Sequence, residues 1–220
     1  MTATAAPSDL SGDGRSDLII RNNSSGEVNA WLMNGGAAIA QAGLLGAGNW
    51  TVTHTADFNG DGKADILWRN DDGTVVIWLM NGFSVVSSAT LFGADPNWRV
   101  THVGDFNGDG KADILWRNAN GSVTAWLMDG TSNMGAVGLL GADPNWRVTH
   151  LGDYNGDGKV DIVWRNTNDG SVTLWLINGT SLIESVGILG PSPWVVLPSL
   201  AVGAPTPTAV QPTLIEATTD

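Results

Sequence analysis

Residues 57–70 read DFNGDGKADILWRN, and the same fourteen letters return at residues 105–118. Near copies begin at Asp9 and Asp153. In each copy an acidic, glycine-containing loop leads into a run of β-branched and aromatic residues, which is typical of a β-strand. The stretch therefore predicts a loop followed by a strand, and its recurrence at a fixed spacing indicates a repeat protein with one unit per copy.

Tryptophan and histidine positions repeat with the same spacing. One tryptophan series and all three histidines recur every 48 residues: Trp50, Trp98, Trp146 and Trp194, and His54, His102 and His150. Residues 50–97 contain four strand-like runs, WTVTHTADF, ADILWRN, TVVIWLM and SVVSSATLF, which are separated by segments rich in turn residues. Four short strands in such a period predict one propeller blade per repeat.

The predicted fold is all-β: a four-bladed β-propeller with four antiparallel strands per blade, closed by strands from both termini. Residues 9–49 supply strands two to four of one blade, and residues 194–200 supply its first strand. Residues 9–200 number 192, four times 48, which favours closure within one chain. The alternative is an eight-bladed ring formed by two chains. Residues 1–8 are interpreted as an N-terminal extension, residues 9–203 as the propeller, and residues 204–220 as a Pro/Thr-rich tail or linker.

The composition argues against several function classes. Acidic residues outnumber basic residues 22 to 10, which gives a formal net charge of −12. A negative surface repels phosphate backbones and anionic lipid, so neither nucleic acid nor membrane insertion is expected. The chain has no cysteine, which excludes a disulfide framework, a zinc ribbon and a thiol nucleophile.

The repeated loop has the pattern D-x-N-x-D-G-x-x-D, which places side-chain oxygens at positions 1, 3, 5 and 9 and a main-chain carbonyl at position 7. Hard oxygen ligands at this spacing suit Ca²⁺, so up to four calcium ions are predicted, one per loop. An EF-hand would need a glutamate at position 12, where these loops have tryptophan or Ile20. The alternative is an aspartate-rich turn without a metal. The predicted ligands are Asp9, Ser11, Asp13, Arg15 and Asp17; Asp57, Asn59, Asp61, Lys63 and Asp65; Asp105, Asn107, Asp109, Lys111 and Asp113; and Asp153, Asn155, Asp157, Lys159 and Asp161.

The loop and strand, followed by WLMNG, resemble the FG-GAP or VCBS repeats known from integrin α-subunit propellers, bacterial surface proteins and the fungal Psathyrella-type lectins. The resemblance covers residues 9–200. It implies a β-propeller with Ca²⁺ in the loop between strands one and two of each blade, on the lower face of the ring. These families usually have seven blades, and the four predicted here depart from that number.

A second set of repeated residues is expected on the face opposite the calcium loops. An aromatic plane beside amide and guanidinium donors suits a sugar ring, by stacking and by hydroxyl recognition. The alternative is structural: the tryptophans pack between blades, and Arg69 pairs with Asp71 or Asp72. The histidines are expected to make hydrogen bonds between blades rather than to act in catalysis. The candidate ligand-binding residues are Arg69, Asn70, Asn97, Trp98, Arg99, Arg117, Asn118, Asn145, Trp146 and Arg147.

Together these features predict a secreted or cell-surface recognition module that is not an enzyme. The preferred partner is a glycan, because tryptophan, asparagine and arginine recur together on one face. The alternative is an integrin-like domain that binds an extracellular protein or serves as a scaffold. A monomer is expected, and a dimer is the alternative. Exposed Trp98 and Trp146 rings beside repeated shallow pockets would favour glycan binding, whereas fully buried rings would favour the scaffold.

Overall fold

The structure is a computed structural model of the chain, and it describes residues 8–197. These residues form fifteen β-strands and no helix, and none of them therefore belongs to a helix long and apolar enough to cross a membrane. The strands are β1 Leu18–Arg21, β2 Val28–Asn34, β3 Ala37–Leu45, β4 Trp50–Ala56, β5 Asp65–Asn70, β6 Val75–Asn81, β7 Ser84–Phe92, β8 Trp98–Gly104, β9 Asp113–Asn118, β10 Val123–Asp129, β11 Ser132–Leu140, β12 Trp146–Gly152, β13 Asp161–Asn166, β14 Val172–Asn178 and β15 Ser181–Leu189.

The strands form four antiparallel sheets that follow one another along the chain. Sheet I contains β1–β3, sheet II β4–β7, sheet III β8–β11 and sheet IV β12–β15. In every sheet each strand pairs with its neighbour in sequence, as in a meander. The predicted strands of residues 50–97 are confirmed as β4–β7. The all-β class and about four blades of repeated antiparallel strands are likewise confirmed.

Successive side chains of a strand point to opposite faces, and both faces of the inner sheets are apolar. In β5, Ile66 and Trp68 pack in a core with sheet I, whereas Leu67 packs in a core with sheet III. A third core joins sheets III and IV. Each inner sheet is therefore an apolar layer between two neighbours, which explains why its strands read as continuous hydrophobic runs.

The loops that precede the second strands also join neighbouring sheets through the main chain. Ala64 N–H donates to the Asp9 carbonyl at 2.6 Å, and Gly82 N–H donates to the Leu10 carbonyl at 2.8 Å. The same two hydrogen bonds connect sheet II to sheet III and sheet III to sheet IV. The repeat thus fixes both the blade and its attachment to the next blade.

The two ends of this series are open in the described residues. Tyr154 of the last loop is 50% exposed, whereas its counterparts Leu10, Phe58 and Phe106 are fully buried under the next sheet. At the other end Ile20 is 38% exposed, and its counterpart Trp68 is buried. The buried cores of residues 8–197 lie at three sheet interfaces, and none of these cores joins sheet IV to sheet I.

The predicted closing strand is not observed. Residues 194–197 form no strand, and Trp194 is 73% exposed. Sheet I accordingly has three strands, and β1 is an edge that pairs only with β2. Residues 198–200, the rest of the predicted strand, lie outside the described residues, as do residues 1–7 of the predicted extension and the predicted tail at residues 204–220. Closure of the ring stays a prediction.

Candidate metal loops and the face opposite them

Each acidic loop is wrapped around the carboxylate at its first position. Asp57 Oδ1 accepts hydrogen bonds from the N–H groups of Gly60 at 2.7 Å and Asp61 at 3.2 Å. Its Oδ2 accepts one from Gly62 N–H at 2.8 Å. Gly60 and Gly62 have φ values of 78° and 83°, in the left-handed region that favours glycine. The glycines of the motif therefore let the backbone turn around Asp57.

The other three loops have the same hydrogen bonds. Asp9, Asp105 and Asp153 each accept from the residues three, four and five positions later. Asp9, Asp57 and Asp105 are at least half-buried by the following sheet. Asp153 is exposed, because no sheet covers it in the described residues. Sequence identity between the loops thus corresponds to one repeated backbone conformation.

The ninth loop position ties the loop to the sheet. Asp65 is fully buried; its Oδ2 accepts from Phe58 N–H at 2.9 Å and its Oδ1 from Met80 N–H at 2.8 Å. The pKa of Asp65 is raised to about 6, chiefly by burial; the two hydrogen bonds lower it, and the negative charges of Asp57 and Asp61 also raise it. The equivalent Asp113 behaves in the same way, and burial raises its pKa to about 6. Negative charge is therefore concentrated in each of these loops.

The basic residue at position 7 lies near that charge. Lys63 is 3.7 Å from Asp61, Lys159 is 3.5 Å from Asp157, and Arg15 is 2.8 Å from Asp13. Lys111 differs, because its ammonium group lies 2.7 Å from Asp129 of β10. These bases neutralise part of the loop charge, but each loop still carries three carboxylates.

The loops fit calcium in the type and order of their oxygen donors and in their backbone turn. Asn59 and Asp61 are at the solvent side, and Asp65 is at the buried side. Within residues 8–197, however, no three acidic or histidine side chains are already close enough to hold a metal ion. A cation would need the exposed side chains to turn toward Asp57. The loops thus contain the oxygen donors that Ca²⁺ takes, but the side chains that carry them do not converge on one point.

On the opposite face, the predicted arginines contact the main chain of the next sheet. Arg69 donates to the carbonyl oxygens of Trp98 at 2.7 Å, Gly73 at 3.2 Å and Pro96 at 3.3 Å. Arg117 donates to Trp146 at 2.7 Å and Pro144 at 3.3 Å. Burial lowers the pKa of both arginines. The proposed pairing of Arg69 with Asp71 or Asp72 is wrong, because the guanidinium donates to carbonyls instead.

The other predicted ligand residues fall into two groups. The asparagines stabilise turns: Asn70 and Asn118 accept from N–H groups two residues later, and the Asn97 side chain donates to Asp95. The carbonyls of Asn97 and Asn145, just before β8 and β12, accept from the N–H groups of Ala119 and Thr167, just after β9 and β13 of the same sheets. Arg99 and Arg147 are exposed. The structure therefore brings the predicted set together at blade junctions, mainly through backbone groups.

Trp98 and Trp146 are half-buried. They are therefore neither the exposed rings expected for glycan binding nor the fully buried rings expected for a scaffold. Trp146 lines a cavity of about 270 Å³ with Trp164 and Trp175. Trp50 lines the equivalent cavity of about 180 Å³ with Trp68 and Trp78. Trp78 and Trp175 were not among the residues predicted from the sequence, although the repeated letters W-L-M or W-L-I of the third strand include them.

The histidines contribute to the junctions between inner strands. Burial lowers the pKa of His54, and the neighbouring backbone of Thr101 in β8 raises it by a smaller amount. Burial lowers the pKa of His102 to about 4, with a smaller effect from His54 and His150. Nδ1 of each histidine is buried without a hydrogen-bond partner in residues 8–197. His54 thus lies against the neighbouring blade, and the hydrogen bonds that the histidines were expected to make between blades stay a prediction.

These loops and sheets agree with a family comparison. The model of the FG-GAP-like repeat matches residues 9–68, 57–116 and 105–164, each match running from one acidic loop through the second strand of the next sheet. The chain belongs to the FG-GAP-like repeat family. No curated protein sequence matches the chain significantly.

The matched residues show which part of the structure this chain shares with the FG-GAP-like repeat. Each match begins at the first aspartate of a loop and ends at the tryptophan of a second strand, Trp68, Trp116 or Trp164. The family unit therefore spans the contact between two consecutive blades, including the hydrogen bond from Ala64 N–H to the Asp9 carbonyl. FG-GAP repeats in this arrangement indicate an integrin-like or propeller domain of the protein-interaction type.

Proposed function

We propose that this FG-GAP chain is a calcium-binding recognition domain that acts outside the cell, is not an enzyme, and binds a protein partner. The observation that carries the proposal is the repetition of one acidic loop fold in four consecutive sheets that match the FG-GAP-like repeat. Each of the first three loops links two sheets, so a cation held there would stabilise the surface that both sheets present.

In the second loop, Asp57, Asn59, Asp61 and Asp65 would supply side-chain oxygens, and Lys63 would supply its main-chain carbonyl. Bound Ca²⁺ would neutralise carboxylates that repel one another. Asp65 can contribute without losing its backbone contacts, because each of its oxygens accepts one N–H and a carboxylate oxygen has two lone pairs. The burial that raises the pKa of Asp65 supports a site in which a cation offsets its charge.

We place the protein outside the cell because of the calcium affinity expected for its loops. Calcium modules that work outside cells bind in roughly the 10⁻⁴–10⁻³ M range, and loops that remain largely exposed, such as residues 59–62, fit weak binding of this kind. Calcium at millimolar concentration would then occupy the loops. The absence of cysteine is compatible with this location and does not select it.

A protein partner is favoured over a glycan by the use of the arginine donors. Arg69 and Arg117 were expected to recognise sugar hydroxyls, but their guanidinium groups donate to main-chain carbonyls of the next blade. Glycan binding remains the second candidate, because Trp146 lines an open cavity that also contains Thr173 and Ser185. An enzymatic role is not proposed, since the acids are concentrated in the loops and the histidines occupy identical positions in successive blades.

We also propose that residues 194–200 close the ring beside β1. The chain that leaves sheet IV follows the course of the earlier connections: Ser192 N–H donates to the Asp169 carbonyl at 2.8 Å, and Ser192 lies against Gly170 as Asp95 lies against Gly73. Trp194 then stands where Trp50 and Trp98 begin the next first strand. A cavity of about 410 Å³ lined by residues of β1 and β4 supports the proposal, because a strand beside the free edge of β1 would enter it.

The recognition function is tested by binding to extracellular proteins with and without calcium. The full chain is immobilised, exposed to an extracellular protein fraction, and washed in Ca²⁺ or EDTA, and the retained proteins are then bound again as purified components. A purified protein that binds in Ca²⁺ and is released by EDTA supports the proposal. A glycan array in the same buffer serves the second candidate. Sugar binding without any purified protein partner would contradict a protein-recognition role.

A further inference from the structure

Two cavities at blade junctions are built from the same tryptophans. The first, between sheets I and II, is lined by Leu45, Trp50, Trp68, Val76 and Trp78. The second, between sheets III and IV, is lined by Leu140, Trp146, Trp164, Thr173, Trp175 and Ser185. In each cavity one leucine comes from the last strand of the preceding sheet, and the tryptophans come from the following sheet. We call these the outer tryptophan pockets.

The strand register gives the equivalent position at the middle junction. Leu45 pairs with Val28 and Leu140 pairs with Val123. Val28 and Val123 are the first residues of β2 and β10, the last strand but one of each sheet. Phe92 pairs with Val75 at the same place in sheet II. Phenylalanine therefore occupies, between sheets II and III, the position that leucine occupies beside each outer pocket.

The Phe92 ring is held by the three tryptophans of the next sheet. Its centroid lies 5.1 Å from Trp116, 6.0 Å from Trp126 and 6.4 Å from Trp98. The tryptophan geometry behind it matches that of the outer pockets: Trp116 and Trp126 are 5.0 Å apart, and the pairs Trp68–Trp78 and Trp164–Trp175 are each 4.9 Å apart. The middle junction is the same site with an aromatic ring already in it.

Size and access allow the same occupant in the outer pockets. Their volumes are about 180 and 270 Å³, and an apolar cavity of about 150 Å³ admits benzene. Trp68 and Trp164 are buried at the base of the pockets. The other tryptophans are half-buried and lie at the mouth: Trp50, Trp78, Trp146 and Trp175. A ring from another molecule can therefore reach the buried tryptophans from the surface.

The lining of the first pocket favours an aromatic ring over a sugar, and the second pocket adds Thr173 and Ser185 to the same frame of one leucine and three tryptophans. Apart from its indoles, the first pocket has only Leu45 and Val76, which cannot pair with sugar hydroxyls. Buried hydroxyls without partners are costly, whereas an aromatic ring gains from tilted contacts with other rings. We infer that each outer tryptophan pocket receives one phenylalanine-like side chain from a protein partner, and that Phe92 fills the middle pocket internally. The inference rests on the proposed protein-recognition function and names its contact chemistry.

The test uses the indole N–H signals in ¹H–¹⁵N spectra of the full chain, titrated with N-acetyl-phenylalaninamide. We expect saturable shifts for the tryptophans of the outer pockets, and no shifts for Trp98, Trp116 and Trp126. N-acetyl-leucinamide and N-acetylglucosamine serve as control probes. Equal shifts with leucinamide, shifts with the sugar alone, or no saturable shift at all would each overturn the inference.

Two matched variants test the pockets in opposite ways, because one fills an outer pocket and the other opens the middle pocket. Leu140→Phe should fill the pocket between sheets III and IV and abolish the shifts of Trp146, Trp164 and Trp175. Phe92→Leu should open the middle pocket, so that Trp98, Trp116 and Trp126 begin to respond. If Phe92→Leu folds and these signals remain unresponsive, the inference is wrong. These results are separate from the proposed function, because a calcium-dependent protein partner can bind elsewhere even if the pockets take no ring.

Discussion

The Arg69 guanidinium donates a 2.7 Å hydrogen bond to the carbonyl oxygen of Trp98, the first residue of strand β8. The two residues belong to neighbouring sheets. The same contact recurs from Arg117 to Trp146 at 2.7 Å and from Arg21 to Trp50 at 3.2 Å. Each arginine thus holds the start of the next blade's first strand, and the repeat encodes the junction between blades as well as the blade.

Replacing Arg69 with alanine is expected to destabilise the fold. The free energy of unfolding should fall by about 2–3 kcal/mol, because hydrogen bonds to a charged group each contribute roughly 1.5–3 kcal/mol and part of that is recovered by solvent. The measurement is urea unfolding in calcium buffer. The matched control is Arg99→Ala, an exposed arginine in the next sheet, for which a change within about 0.5 kcal/mol is expected. Equal effects of the two changes would show that the contact is not stabilising.

The four loops should differ in calcium affinity. Ser11 stands where the other loops have Asn59, Asn107 and Asn155, and the side-chain ligands that Ca²⁺ ordinarily takes are carboxylate and amide oxygens rather than hydroxyls. We expect Ser11→Asn to raise the affinity of the first loop, and Asn59→Ser to lower that of the second. Isothermal titration with Ca²⁺ measures both. Unchanged affinity in both variants would exclude position 3 as a ligand.

The buried histidines should make stability depend on pH. Burial lowers the pKa of His102 to about 4, whereas its ordinary value is about 6.5. The unfolded chain therefore binds a proton first as the pH falls, so this contribution is complete above pH 6.5 and is lost between pH 6.5 and about 4. The slope is at most about 1.4 kcal/mol per pH unit. His54 and His150 face His102, and Arg117 and Arg147 line its cavity.

The measurement compares His102→Gln with the parent chain at each pH without metal. Asp65 and Asp113 act oppositely, since their raised pKa values make metal-free stability fall as the pH rises from about 3.8 to about 6. They are common to both proteins, so the difference isolates His102. We expect the variant to lose less stability than the parent between pH 6.5 and 4. A difference that does not vary with pH would refute the assignment.

Ring closure can be tested with a cysteine pair, because the chain has no cysteine. The pairing of Val52 with Trp68 predicts that Val196 faces Ile20. Opposed residues of antiparallel strands lie about 4.5–5.5 Å apart, within the range for a disulfide. Ile20→Cys with Val196→Cys should form an intramolecular disulfide on oxidation, whereas Ile39→Cys with Val196→Cys should not. A covalent dimer would favour the two-chain ring, and no cross-link would contradict both arrangements.

The sequence predicted the blades well because periodicity and turn residues are local signals. The strands β4–β7 follow directly from residues 50–97, and the loop conformation follows from Gly60 and Gly62. The role of Arg69 could not be predicted in this way, because its acceptors are main-chain carbonyls that every residue carries. The exchange of leucine for phenylalanine at position 92 is similarly inconspicuous in the sequence, and only the strand register shows that its ring fills a pocket.

Calcium binding by the acidic loops is the central proposal for this protein, and the melting temperature tests it most directly. Sites with dissociation constants near 10⁻⁴–10⁻³ M should each add about 1.4–2.7 kcal/mol at 10 mM Ca²⁺. We therefore predict a clearly higher melting temperature in 10 mM Ca²⁺ than in EDTA, with a smaller rise when Asp57 and Asp61 are both changed to asparagine. The same double change at the turn residues Asp71 and Asp72 should leave the rise intact. A melting temperature that is the same in Ca²⁺ and EDTA would contradict the account.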